Sequence, residues 1–470
     1  MDEQTNGRTD EQPDGAGAGA GHAGSGQGAG QGPVQEAGHG IAGENGPANG
    51  GPHAYASRSA RRHGLTIPLD GFDAFDLPAH RELLQHATAA GFTDLWSSET
   101  NGADGLTPLA LASVWAPTAR LGSAILPVHT RGLALLAMSA AALAEAAPGR
   151  FVLGIGASSP AIVERWNGVP FDQPFARVRD TLRFLQRALA GEKVDEVFPT
   201  FTVRGFRLSR PPRIAPQILL AALRPAMIRL GAREADGIIT NWLGVEDVPK
   251  VLGELRGAEA AKRAEAGGRD EAAGHGDGLG GRGEVAGHGG GLGRGESAAP
   301  SEPSGQNGVA GYGGLTGHDD LIGHNGPVGA DRPAELAARI FVCPTEDADF
   351  ARALGRTLIS SYLTVPAYAE FHRWLGRGEL LGPMWKAWDA GDRRSANSLV
   401  PDEVVDSLLV HGTAEQCREH IERYAAAGID TPILALLPTP ELGAVQAASK
   451  ADAQAQYLAD IISALAPIGR

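Results

Sequence analysis

The chain has 470 residues, with 41 basic against 55 acidic side chains and a formal net charge of −14. That balance excludes nucleic-acid binding by bulk electrostatics, and the most apolar run, Leu133 to Ala147, contains Glu145 and reads as a buried helix, not a membrane span. The cysteines, Cys343 and Cys417, are too far apart in sequence for a disulfide framework or a metal-ligand spacing, and the N-terminus has no signal-peptide pattern. The expectation is a cytoplasmic protein, with no membrane and no nucleic-acid partner, that handles small molecules; a homodimer is left open.

In chain order, residues 1–63 are Gly, Ala, Gln, Asp and Glu with almost no large apolar side chain, which predicts a disordered tail. Residues 64–256 alternate apolar strands and helices. Leu65 to Leu69 predicts a first strand and Arg81 to Ala90 a helix closed by Gly91. Asp94 to Ser98 is the second strand, followed by a helix from Pro108 to Arg120, and Leu121 to Pro127 is the third. Arg150 to Gly156 is the fourth strand. Gly154 and Gly156 let the backbone turn sharply there, with Ser159 as an N-cap and Pro160 at the first helical position. Such an exit offers first-turn amides to an anion; the alternative is that the glycines serve packing alone. After a long loop and a helix from Phe175 to Ala190, Gln217 to Ala222 and Gly237 to Trp242 are the fifth and sixth strands.

Residues 257–332 are again glycine-rich, with Ala273-Gly274-His275-Gly276 recurring as Ala286-Gly287-His288-Gly289. His275, His288, His318 and His324 do not meet a metal-ligand pattern, so this segment is expected to be a disordered insertion that binds no metal. Residues 333–470 resume the alternation. Ala338 to Cys343 is the seventh strand, the helix from Thr413 opens on a capping box with Gln416 and ends at Gly428, and Thr431 to Leu437 is the eighth strand. Without the two glycine-rich segments about 330 residues remain, somewhat more than the ~250 typical of a (β/α)8 barrel, which is the expected fold. A doubly wound open sheet is the alternative.

In a barrel the chemistry sits where the strands end. Those positions hold Ser98, Glu99 and Thr100; His129, Thr130 and Arg131; Ser158 and Ser159; Arg224; and Asn241 and Trp242. No zinc-protease, paired-carboxylate or nucleophile-elbow pattern occurs among them, whereas hydroxyls, cations and backbone amides suit a phosphorylated organic cofactor. His129 is a candidate proton shuttle or cofactor contact, or else a packing residue. Glu99 is a candidate general acid, or else a carboxylate that bonds loop amides. Arg131 and Arg224 match phosphate oxygens, or form surface salt bridges. Trp166, Trp242, Trp374, Trp385 and Trp388 are candidate pocket walls or core.

Leu121 to Pro127, the Gly154-x-Gly156-x-Ser158-Ser159 turn, Trp166 to Phe171 with Pro174 and Arg177, and Ile218 to Ala222 resemble the luciferase-like monooxygenase superfamily. Within it they are most similar to oxidoreductases that use the deazaflavin coenzyme F420. The likeness runs from about Gly64 to Pro438 and skips the tail and the insertion. It implies a TIM barrel of the bacterial-luciferase-like type and hydride transfer between the deazaflavin and an unidentified small organic substrate. An FMN-dependent monooxygenase is the alternative, and a catalytically inactive cofactor-binding protein the second. The resemblance also implies a non-proline cis peptide at Ala124-Ile125. The cofactor contacts then expected are Ser98, Ala124, Ile125, Arg131, Gly156, Ser158, Ser159, Ala221, Ala222 and Arg224, with His129 and Glu99 as catalytic candidates. One sugar-phosphate dehydrogenase branch carries an Asp-His pair after strand two and a Glu in the strand-four turn. Here those places hold Glu99-Thr100 and Ser159, so that substrate is not transferred.

Overall fold

Each apolar run in a parallel sheet is buried on both faces, and here the last run pairs back onto the first. The computed structural model describes residues 61–69, 76–274, 333–447 and 451–467. The first half runs β1 (Gly64–Ile67), α1 (His80–Ala90), β2 (Asp94–Ser97), α2 (Thr107–Trp115), β3 (Arg120–Ser123), β4 (Leu126–Pro127), α3 (Leu133–Ala146), β5 (Phe151–Gly156) and α4 (Pro174–Leu189). A hairpin of β6 (Val194–Phe198) and β7 (Phe201–Phe206) leads to β8 (Gln217–Ala221), α5 (Pro225–Glu234), β9 (Gly237–Asn241) and α6 (Val248–Gly274). Beyond the glycine-rich segment come β10 (Glu335–Cys343), α7 (Ala348–Tyr362), α8 (Pro366–Leu375), α9 (Gly378–Asp389), α10 (Arg393–Ser398), α11 (Asp402–Leu408), β11 (Leu409–His411), α12 (Ala414–Ala427) and β12 (Thr431–Leu436). Two helices close the chain, α13 (Pro440–Ala447) and α14 (Ala451–Ala464).

Parallel pairing runs β1, β2, β3, β5, β8, β9, β10, β12 and returns to β1, a closed (β/α)8 barrel. β4 continues the line of β3 against β5, and β11 lies beside the upper end of β10. Alternation assigns the inner face. Trp96, Val152, Leu219, Ile239, Ala337 and Ile433 fill the middle of the barrel as one cluster. Gly122 is where the Trp96 indole lies flat, since a Cβ there would sit 2.2 Å from its ring. Below, at the strand N-termini, Arg120 bonds Asp94, both oxygens of Glu335 at 2.9 and 2.6 Å, and Thr431 Oγ1 at 3.2 Å. Above, at the C-terminal ends, the same face carries Ala124, Gly156, Ala221, Asn241 and Arg339.

The helix expected from Pro108 to Arg120 ends at Trp115, with Arg120 in β3; all eight expected strands are present, with four further differences in detail. The first ends at Ile67 because Pro68 has no N–H to extend the ladder. The third is divided into β3 and β4 at Ala124-Ile125. The stretch read as loop before β8 contains the β6–β7 hairpin, whose Phe201 and Phe206 pack on Phe184 of α4. Residues 257–274, expected as the start of the disordered insertion, are instead the second part of α6, because residues 258–265 are nearly all strong helix formers, and Leu255, Ala258 and Glu259 are buried. Residues 275–332 and the tail through residue 60 lie outside the described residues. The capping box on α12 forms as expected: Gln416 N donates to Thr413 Oγ1 at 3.2 Å and Thr413 N to Gln416 Oε1 at 2.8 Å.

Candidate active site at the barrel mouth

The mouth is organised around the break between β3 and β4, where the Ala124-Ile125 peptide is cis, as the resemblance implies. Ala124 N donates to Ser97 O at 2.6 Å, and Ser123 Oγ exchanges hydrogen bonds of 2.9 Å with both the N–H and the carbonyl of Gly154. A Cβ on Gly154 would lie 1.8 Å from Ser123 O; one on Gly156 would lie 2.7 Å from Ala221 Cβ and 3.1 Å from Ile125. Both glycines therefore permit close approach of β5 to its neighbours. They do not make the turn: that expectation is corrected, because positive φ falls on Ser158, at +69°. A serine in left-handed backbone is uncommon and marks the strand exit as an enforced conformation.

The helix after this turn also differs from expectation. It is a six-residue π-helical piece, Ala161–Trp166, and Ser159 serves it by accepting Ile162 N on Oγ at 3.4 Å and Val163 N on its carbonyl at 2.9 Å. So short a helix has little dipole to offer an anion. Ala222 N is likewise engaged, donating to Ile239 O at 2.9 Å, while Ala221 is half-buried on the inner face. Arg224 is exposed at the N-terminus of α5, with no side-chain cap on that helix end.

His129 is buried, packs on Phe171 with the rings tilted by 36° and 5.1 Å between centroids, and lies with Nε2 3.3 Å from the Asp172 carbonyl. Burial holds its pKa below the ordinary histidine value, so the ring is neutral at pH 7. The ring lies against the Ala157 carbonyl as well as that of Asp172, and Nδ1 makes no hydrogen bond of ordinary geometry. Glu99, the candidate general acid or amide-bonding carboxylate, and Arg131, the candidate phosphate contact or salt-bridge residue, are brought together. Both Glu99 oxygens lie 3.2 Å from Arg131 Nε, Glu99 also accepts Gly105 N at 3.0 Å, and Arg131 reaches Asp104 at 3.4 Å. Their charges are mutually satisfied. Ser98 is half-buried at the end of β2 beside them.

The opposite arc of the mouth carries groups that strand-end reasoning left without a role. Trp242 has φ +53° and stacks on Phe341 at 4.2 Å; its backbone N–H donates to Asn241 Oδ1 at 3.0 Å, and Asn241 Nδ2 donates to Tyr368 Oη at 3.2 Å. Arg339 stands in register with Asn241. Its only signal in the sequence was an arginine inside an apolar strand. Of the other tryptophans, Trp385 bonds Leu363 O at 2.9 Å, Trp374 stacks on Phe371 and Trp388 lies under Arg393, all in the helical layer of α8 to α10; Trp166 is exposed. Trp242 alone of the five lies at the end of a barrel strand. Among the described residues no cluster of His, Cys, Asp and Glu could hold a metal, and no helix is long and apolar enough to cross a membrane.

Comparison with known proteins agrees with this geometry. The chain is 24% identical over 369 residues, 74% of its length and 88% of the relative's, to a protein of Mycobacterium tuberculosis that carries the name coenzyme F420-dependent oxidoreductase. It is 26% identical over 179 residues to a 5,10-methylenetetrahydromethanopterin reductase of Methanolobus tindarius, matching 38% of this chain and 54% of that one, little more than half the relative's length. Among solved structures, the coenzyme F420-dependent tetrahydromethanopterin reductase from Methanopyrus kandleri superposes with a TM-score of 0.56 at 16% identity, covering 87% of this chain and 98% of that one, a likeness of fold. The family model of the luciferase-like monooxygenases matches residues 50–273 and 326–431, on both sides of the glycine-rich segment, and the chain belongs to that family of enzymes.

Proposed function

We propose that this enzyme is a coenzyme F420-dependent oxidoreductase that moves a hydride between the deazaflavin and a small organic substrate. The observation that carries the reading is the floor formed by Ala124, Ile125, Gly156 and Ala221. Gly156 has no room for a Cβ, and the floor is small, apolar and partly open, which suits the face of a planar ring. When bound, the deazaflavin supplies the reactive carbon. The chain's own residues hold and shield it. Ile125 and Ala221 support the ring from behind, and Ser158, on its enforced backbone, presents a hydroxyl at the strand exit. His129, buried beside Phe171, is the proposed polar contact to the cofactor or a substrate hydroxyl, and Arg224 with the α5 N-terminus is the proposed phosphate contact. The Glu99–Arg131 pair braces the β2 and β4 exits, so Glu99 is assigned a positioning role in place of proton transfer.

Titration with coenzyme F420, followed by deazaflavin fluorescence, tests the cofactor: saturable binding is expected. Failure to bind it while FMN binds would favour the second reading, an FMN-dependent monooxygenase, which the family's own description supports. Oxygen uptake with reduced FMN separates the two. A cytoplasmic homodimer completes the proposal. The exposed Val114 of α2 and Leu135 and Met138 of α3 are its proposed contact face, and light scattering checks the mass.

A further inference from the structure

Arg339 stands alone on the inner wall of the mouth. Ala337 belongs to the inner cluster, and side chains two apart on a strand share a face, so Arg339 is one step above Ala337, beside Asn241 of β9. In β10 every other residue is buried and Arg339 is half-exposed, which places its head where the barrel opens. Its Nε is buried without a hydrogen-bond partner. Its Cζ lies 4.9 Å from the Phe341 ring, and its charge acts on the Tyr368 hydroxyl, to which Asn241 donates. No carboxylate among the described residues pairs with it. A cation partly withdrawn from water and left unpaired is costly, and a guanidinium fork matches two coplanar oxygens. The surroundings supply one positive charge, one amide and one phenol, backed by the buried, stacked rings of Phe341 and Trp242.

On the reading above, in which the small-residue arc takes the deazaflavin, we propose that Arg339 binds the carboxylate of the organic substrate. The substrate class is then a flat, apolar monocarboxylic acid, its carboxylate in the Arg339 fork with Asn241 at hand and its body beside the half-buried Tyr368. A single cation among aromatic rings suits a monoanion better than a phosphate dianion, which gathers several donors.

The test uses the full chain and a matched pair of probes, trans-cinnamate and trans-cinnamamide, which share a shape and differ in charge. Binding is followed by tryptophan fluorescence and calorimetry, with and without coenzyme F420. Wild type is expected to prefer the acid by about tenfold or more, the scale of a charge-assisted pair. Arg339→Met and Arg339→Gln should abolish that preference and Arg339→Lys should keep part of it, with deazaflavin affinity unchanged within about twofold. If the methionine variant does not fold, the lysine and glutamine variants carry the comparison. Equal binding of acid and amide by wild type, or binding of neither, overturns the proposal, as does an acid preference that survives in Arg339→Gln. Parallel loss of deazaflavin affinity would put the cation at the cofactor. Inorganic phosphate that competes below the dissociation constant of cinnamate would replace the carboxylate with a phosphate. Acid preference without deazaflavin binding would strike the cofactor reading and leave this one standing.

Discussion

Two arginines face the inside of this barrel, one at each end, and their surroundings are opposite. Arg120, at the closed end, is held by Asp94, Glu335 and Thr431, and the paired carboxylates raise its pKa well above the ordinary value. Arg339, at the open end, has an unpartnered Nε and an aromatic ring for company. Burial of a charge is tolerated at the closed end because opposite charge and hydrogen bonds compensate it. At the open end compensation within the described chain is missing, and an incoming anion is the natural source. The closed end satisfies its buried cation within the chain, whereas the open end leaves its cation for the anion proposed above.

The largest expected effect breaks the closed end. Arg120→Met leaves Asp94 and Glu335 facing each other without their cation and should cost about 3–5 kcal/mol, read as a large fall in urea midpoint. Acid sharpens the same point without mutation. Glu335, buried in the pair, titrates at about 2, depressed from 4.5. Its contribution is therefore fully present above pH 4.5 and is lost as the pH falls from there towards 2, about 3 kcal/mol by linkage. Stability against pH should show that loss in wild type and in Arg339→Met alike, and a flat profile in this window would refute the buried pair. An intermediate effect is expected of Glu99→Gln, which removes the partner of Arg131 at the mouth. Partial exposure keeps the loss to about 1 kcal/mol, and deazaflavin affinity should fall only through the loosened β2 and β4 exits. In contrast to Arg120, Arg339→Met should leave the urea midpoint within about 1 kcal/mol of wild type or raise it, since an uncompensated cation is removed. The smallest effect belongs to Ser158→Gly. It relieves left-handed backbone and is expected to change stability by about 0.5 kcal/mol or less, because freedom gained by the unfolded chain offsets the relief, while cofactor titration reports whether the hydroxyl contributes.

Much of the fold was legible along the chain, for a physical reason. Strands buried on both faces read as continuous apolar runs, and Gly91, Gly428 and the Thr413–Gln416 box mark helix ends through purely local chemistry. The β6–β7 hairpin was not legible because it is only partly buried, and its phenylalanines gain meaning only against Phe184. The boundary at Gly257 fails because glycine content marks it, whereas the alanines and charged helix formers that follow carry α6 on to Gly274. Within the site, the strand-end rule found His129, Ser158 and Asn241, but it could not foresee that Glu99 and Arg131 would satisfy each other, since the partner of a charge depends on which loops converge.

The sequence by itself determined the repeating strand–helix order, the eight barrel strands and the positions that reach the mouth, because burial, capping and strand length are written locally. Only the tertiary structure decided what those positions face. Closure of the barrel made Gly154 and Gly156 points of close contact for β5, moved the turn to Ser158, sealed Arg120 among carboxylates and left Arg339 at the mouth with no described carboxylate to meet it. Each of these depends on distances between strands far apart in the chain, which no local pattern encodes.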